Sequence, residues 1–255
     1  LSQSQQEQTW DDRKLLGFAL ETYAYLVLVN TITPHSTAGD RAIHPNNFLT
    51  SLDSLSGYDT FGTMFAGAHG LFEIIPKISL LFERRLEEQS GSCSLRNESM
   101  YTTLHNCITN WKLCEIESMC PEIALQRKST AEVYRHALLI YLETAMSGSV
   151  VDDPGTICKI QDHIDSITSL SFLVLESQYA AILLWPILMA GSCMVKESQR
   201  ETVAASLRQS RYQMKHCIAA CELLQCLWSD PDKRAYGPYG LYLMMQKHNM
   251  NCCFL

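Results

Sequence analysis

Cysteine is plentiful, at 11 of 255 residues, yet no two cysteines are spaced as Cys-x-x-Cys. That absence excludes a metal module that opens with such a pair, including a DNA-binding zinc cluster whose two metals are held by six closely spaced thiolates. Clustered positive charge is also lacking: the formal charge is −7, so the chain does not offer the Lys/Arg surface that phosphate backbones require. No stretch alternates apolar and polar residues long enough to demand a strand, and no repeat or low-complexity tract occurs. The opening LSQSQQEQTWDD has neither a basic nor an apolar core, so no cleavable signal is expected. A start at Leu1 rather than Met leads us to expect a piece of a longer chain.

What is present is a globular composition, 47% hydrophobic and 18% charged, long enough to bury one large core. Cys193, Cys217, Cys221 and Cys226 sit inside apolar helical patterns, which fits small core hydrophobes in a reducing compartment better than a disulfide framework.

The periodicity predicts helices throughout. Thr9 is expected to cap a first helix that stops before Pro34, and a loop with one short helix near Asn47 to Leu55 follows. Phe61 to Gln89 reads as helix broken or kinked at Pro76, and Glu98 to Cys120 as a weaker helix. Ser129-Thr130 is read as the cap of the next one, and Asp152-Asp153-Pro154-Gly155 as a turn and helix start before Thr156 to Glu176. The uncharged run Gln178 to Val195 has the length of a membrane span, but its central Pro and its flanking Glu176 and Lys196 favour a fully buried helix of a bundle. Ser198-Gln199-Arg200-Glu201 has capping-box spacing. The architecture expected is all-α, one domain over residues 1–255, with nine to eleven helices.

The order LLWPILMAG, then Arg200, then LLQCLW resembles the C-terminal regulatory, or middle-homology, domain of fungal zinc-cluster transcription factors. The positions that carry the likeness are Trp185, Pro186, Gly191, Arg200, Leu223, Leu224, Leu227 and Trp228. Ala131 to Gly148 is similar to the middle helix of that family, and Gly240 to Leu255 to its closing helix. The resemblance implies a non-catalytic regulator of RNA polymerase II transcription, located in the nucleus. It implies a homodimer or other transcription regulators as partners, and a small-molecule inducer as ligand. It also implies no cofactor within these residues, zinc and DNA contact belonging to a separate N-terminal module.

Bland and sharp readings compete at several positions. Asp162, His163 and Asp165 are the candidates for an alternative, a helical cyclase or isomerase-like enzyme, though a solvated face is the default for them. Cys217 and Cys221, one turn apart beside His216, form either a reactive pair or core, and core is favoured. The stretch Gly240 to Met250 would line a pocket or simply pack. Cys252-Cys253-Phe254-Leu255 has the spacing of a prenylation box but lacks an aliphatic third residue, so an apolar docking tail is the better reading. A third alternative is an interaction scaffold with an exposed apolar patch. Arg200 is expected to pair with an interior carboxylate or carbonyls, and Trp185 and Trp228 to pack in the core.

Overall fold

Hydrophobic stripes at helical spacing leave each helix one apolar face to cover, and the chain covers them by packing helix on helix. The computed structural model describes residues 3–30, 52–88, 93–114, 119–209 and 215–250. Among the described residues there are ten α-helices, two short 3-10 turns and no strand. The helices are α1 (Gln3–Asn30), α2 (His69–Phe72), α3 (Ile75–Glu87), α4 (Leu95–Thr109) and α5 (Pro121–Ser147), then α6 (Pro154–Ser171), α7 (Leu184–Ser192), α8 (Glu197–Arg208), α9 (Lys215–Ser229) and α10 (Gly237–Lys247). The all-α expectation holds.

α5 is the axis of the bundle. Pro121 occupies its first turn, where a missing N–H costs nothing, and Gly148 ends it at φ 79°. From Ala137 to Ala145 every residue is buried, so this segment is enclosed on all sides by α3, α4, α6, α7 and α10. The helix therefore starts well before Ser129-Thr130, which lie in its interior; the Thr130 hydroxyl donates back to the Gln126 carbonyl instead of capping. The Thr9 cap fails in the same way, because α1 begins at Gln3. The Gln- and Glu-rich segment before Thr9 has good helix propensity and simply extends the helix.

Two proline and aspartate signals act as expected. Pro76 lies in the first turn of α3, so it marks a helix start rather than a kink. Asp153 caps α6 by accepting from the Thr156 N–H at 2.7 Å, with Pro154 behind it. α4 departs from expectation at both ends. Ser94 caps it ahead of Glu98, accepting from the Asn97 N–H at 3.4 Å, and it stops at Thr109. The expected helix near Asn47 reduces, within the described residues, to a 3-10 turn at Leu52–Leu55. The C-terminal Cys252-Cys253 tail lies outside the described residues.

Phe61 to Ala68 is a chain of turns rather than a helix. Gly62, Ala66 and Gly67 have φ of 91°, 49° and 73°, a left-handed run that no α-helix tolerates. Two buried charged side chains hold it. Glu21 of α1, 1% exposed, accepts from the Met64 N–H at 2.8 Å. Burial pushes its carboxyl above the usual range, against the pull of the loop amides. From the opposite side Arg127 of α5 donates to the carbonyls of Ala66 (3.1 Å) and Cys114 (2.9 Å).

Candidate functional site

The uncharged run from Gln178 folds as turns, a 3-10 turn at Ala180–Leu183 and then the short α7, which is buried along nearly its whole length. Pro186 falls in the first turn of α7, among positions whose N–H groups lack intrahelical acceptors, so the helix forms despite the proline. Trp185 is fully buried. It stacks on Tyr134 with ring centroids 5.7 Å apart and planes 3° from parallel, and meets Tyr141 edge-on at 6.3 Å. The Tyr134 hydroxyl donates to the Ile182 carbonyl, fixing the entry to α7 on α5. Among the described residues the Trp185 indole N–H has no acceptor, so this ring is held by packing alone.

α9 crosses α7 at Gly191. A Cβ there would stand 2.9 Å from Leu224 Cδ1, so any larger residue would push the buried Leu224 side chain aside. Leu223, Leu224 and Leu227 are buried on the facing side. The Gly191 carbonyl is left near the end of α7 and accepts from the Trp228 indole N–H at 2.9 Å. Trp228 is half-buried, packed against the core rather than within it.

Arg200 closes the joint from α8. Its Nε donates to the Met194 carbonyl at 2.9 Å, and its guanidinium carbon lies 5.7 Å from the centre of the Trp228 ring. Among the described residues its only carboxylate contact is Glu197 at 3.8 Å, an exposed neighbour in the first turn of α8. The expectation of an interior partner is thus met by a carbonyl. The capping box is not formed: Lys196 is the N-cap, no side chain caps α8, and Ser198 is already helical. The N–H groups of Gln199 and Arg200 both bond to the Lys196 carbonyl, which starts the helix ahead of the serine.

Gly191, Arg200, Leu224 and Trp228 therefore meet where α7, α8 and α9 join, while Trp185 packs on α5 and Pro186 lies in the first turn of α7. On the outer side of this joint lies an open cleft of about 480 Å³ whose lining includes Glu197, Arg200, Glu201, Arg208, Gln225 and Trp228. Charges of both signs surround an indole edge there, a lining suited to a polar ligand with a flat or cationic portion, or to a partner side chain.

The alternative sites do not assemble. Asp162 and Asp165 are exposed; Asp165 accepts from Gln199 at 2.7 Å and pairs with Lys196 at 3.3 Å. His163 turns the other way, to His136 of α5, so the three share no cavity. Cys217 and Cys221 are core, and burial raises the Cys221 thiol above its ordinary range, the opposite of a reactive thiolate. Leu241 and Met244 pack α10 into the core, while Leu243 and Met244 also edge a charged cleft of about 720 Å³ with Asp230, Asp232, Arg234 and Lys247. Exposed Phe172 and Leu175 edge a shallow apolar groove of about 60 Å³ between α6, α7 and α8. No helix among the described residues is long and apolar enough to cross a membrane. No group of three or more His, Cys, Asp or Glu side chains is placed to hold a metal among them.

Sequence reasoning missed Glu21, Arg127 and His136, which carry buried or half-buried polar contacts between distant segments. Comparison with known proteins returns no matching curated protein and no matching solved structure. The model of the fungal specific transcription factor domain, however, matches residues 1–253, which include every helix of the bundle and the whole α7–α8–α9 joint. The chain belongs to the fungal specific transcription factor domain family.

Proposed function

We propose that this chain is the non-catalytic regulatory domain of a nuclear zinc-cluster transcription factor, and that it modulates RNA polymerase II transcription when a ligand or protein partner engages the α8–α9 cleft. DNA contact and zinc belong, on this reading, to a module outside these residues. The observation that carries it is the position of Arg200 and Trp228. Both line the cleft, and both bond to carbonyls at the end of the buried α7. A ligand that pulls the guanidinium or the indole outward competes with those two hydrogen bonds. It thereby favours a packing in which α8 and α9 are released from α7, a shift in population set by its unequal affinity for the two states.

The test is a reporter assay with the full chain fused to a heterologous DNA-binding domain. Reporter output is expected to change relative to the DNA-binding domain alone. Arg200→Ala is expected to alter that output while costing only about 1–2 kcal/mol of stability in urea unfolding. Arg200→Lys is expected to behave like Arg200→Ala, because an ammonium cannot both donate along the Nε direction and stack on the indole. A fusion that leaves transcription at the level of the bare DNA-binding domain contradicts the regulatory role. Full output from Arg200→Ala would contradict the role of the cleft.

A further inference from the structure

His136 on α5 and His163 on α6 face each other across the helix pair that shares the longest contact in the bundle. Their Nδ1 atoms are 3.1 Å apart, and their ring centroids 5.2 Å apart. The centroid distance exceeds the nitrogen distance by about two ring radii, so the nitrogens point head-on at one another. A cation about 2 Å from each nitrogen would have to lie off the line joining them and away from both lone pairs, so the head-on geometry favours a shared proton. One proton between two nitrogens, an N–H···N hydrogen bond, fits the geometry. It requires one imidazole to donate while the other accepts, so at most one ring can be cationic while the contact persists.

We propose that the α5–α6 seam is a proton-operated latch, closed by the single hydrogen bond between His136 and His163 and opened when both rings are protonated. In that state two N–H groups and two positive charges confront each other with no acceptor between them. The surrounding groups carry charges of both signs. α5 presents Arg135, which disfavours a second charge, together with Glu132 and Glu143, which favour one; α6 presents Asp162, and α4 presents His105. Glu132 is paired with Arg135 and Glu143 accepts from the neutral Tyr101 hydroxyl at 2.6 Å, and among the described residues neither carboxylate bonds to either imidazole. Burial is the first cause that lowers both imidazoles, with His136 brought down to about 4 by burial and then by His163.

The sign follows directly. A histidine held below its unfolded value gives stability that is complete above about pH 6.5 and is lost as pH falls towards the folded value. Opening has a route to the α7 joint. Two residues before His163, Gln161 donates to the Cys193 carbonyl at 2.8 Å, tying α6 to the end of α7.

The experiment uses the full chain and three readouts. In proton NMR titration, His163→Asn is expected to raise the His136 midpoint by more than about half a pH unit, because the competing charge is gone. Lowering the pH from about 7.5 to about 5 is expected to reduce the wild-type folding equilibrium at least about tenfold more than that of His136→Asn/His163→Asn, whose side-chain amides hydrogen-bond without titrating. In the wild type, acid is expected to lower the amide protection factors, taken relative to the intrinsic exchange rate at each pH, around residues 136 and 163 before it does so in α9. An unmoved His136 midpoint, or equal pH dependence in wild type and double variant, overturns the latch. If either variant fails to fold, the wild-type exchange pattern decides: a uniform fall in protection factors across the bundle overturns the proposal.

Discussion

Trp185→Ala is expected to destabilise the domain by about 3–5 kcal/mol, the largest effect of any single truncation in the bundle. The ring is fully buried and touches two aromatic rings of the central helix, so its removal leaves a cavity between α5 and α7 that neither helix can collapse into. No hydrogen bond is lost with it among the described residues, so the cost is one of packing and transfer from water. Trp185→Phe keeps part of that contact and is expected to cost about 1–3 kcal/mol. Urea midpoints measured at equal slope check both. A cost below 1 kcal/mol for the alanine variant would show that the indole is not enclosed.

Gly67→Ala is expected to be the second most damaging change, at roughly 2–4 kcal/mol. Two independent terms add here. The φ of 73° disfavours any side chain, and a Cβ would stand 1.9 Å from Arg127 Nη2. The guanidinium would have to leave, stranding the Ala66 and Cys114 carbonyls it now satisfies. A pairing control separates the terms. In an Arg127→Ala background the collision vanishes and only the backbone strain remains, so Gly67→Ala is expected to cost much less there. Equal costs in both backgrounds would mean that the arginine does not occupy this place.

How much of this was readable beforehand differs from one element to the next. The run around Trp185 announced itself, because a segment with no charge and one proline has few alternatives to burial. Asp153-Pro154 was readable for the same kind of reason, since both residues favour one position at a helix start and few others. Ser198 and Ser129-Thr130 misled because serine and threonine can also bond inside a helix, and only the neighbouring carbonyls decide between the two. Polar Gln126 and charged Arg127 and Lys128 hid the first turns of α5, since a lone arginine reads as solvent-facing. Its burial depends on the Ala66 carbonyl just before α2 and the Cys114 carbonyl after α4, 61 and 13 residues away.

The joint was legible in part. Gly191 and Trp228 could be named from their order in the chain, but nothing in that order says that the indole bonds to the glycine carbonyl. Arg200 was singled out by position, and its partner was left between a carboxylate and a carbonyl until the bundle closed. The His136–His163 contact was invisible, because 27 residues separate the two and neither lies in a spaced motif. Glu21 was hidden in a helix whose exposed residues 12–16 look like those of any amphipathic segment.

The central claim is that Trp185 lies dry where α5 and α7 meet, with α8 and α9 locked to the end of α7. Fluorine NMR of the full chain carrying fluorotryptophan tests it most directly. The Trp185 resonance is assigned by its loss in Trp185→Phe, and each signal is compared in light and heavy water. The account predicts no solvent-isotope shift for Trp185 and a partial shift for Trp228, whose ring is half-buried. A Trp185 signal that moves with solvent as far as it does in the urea-unfolded chain would contradict the account.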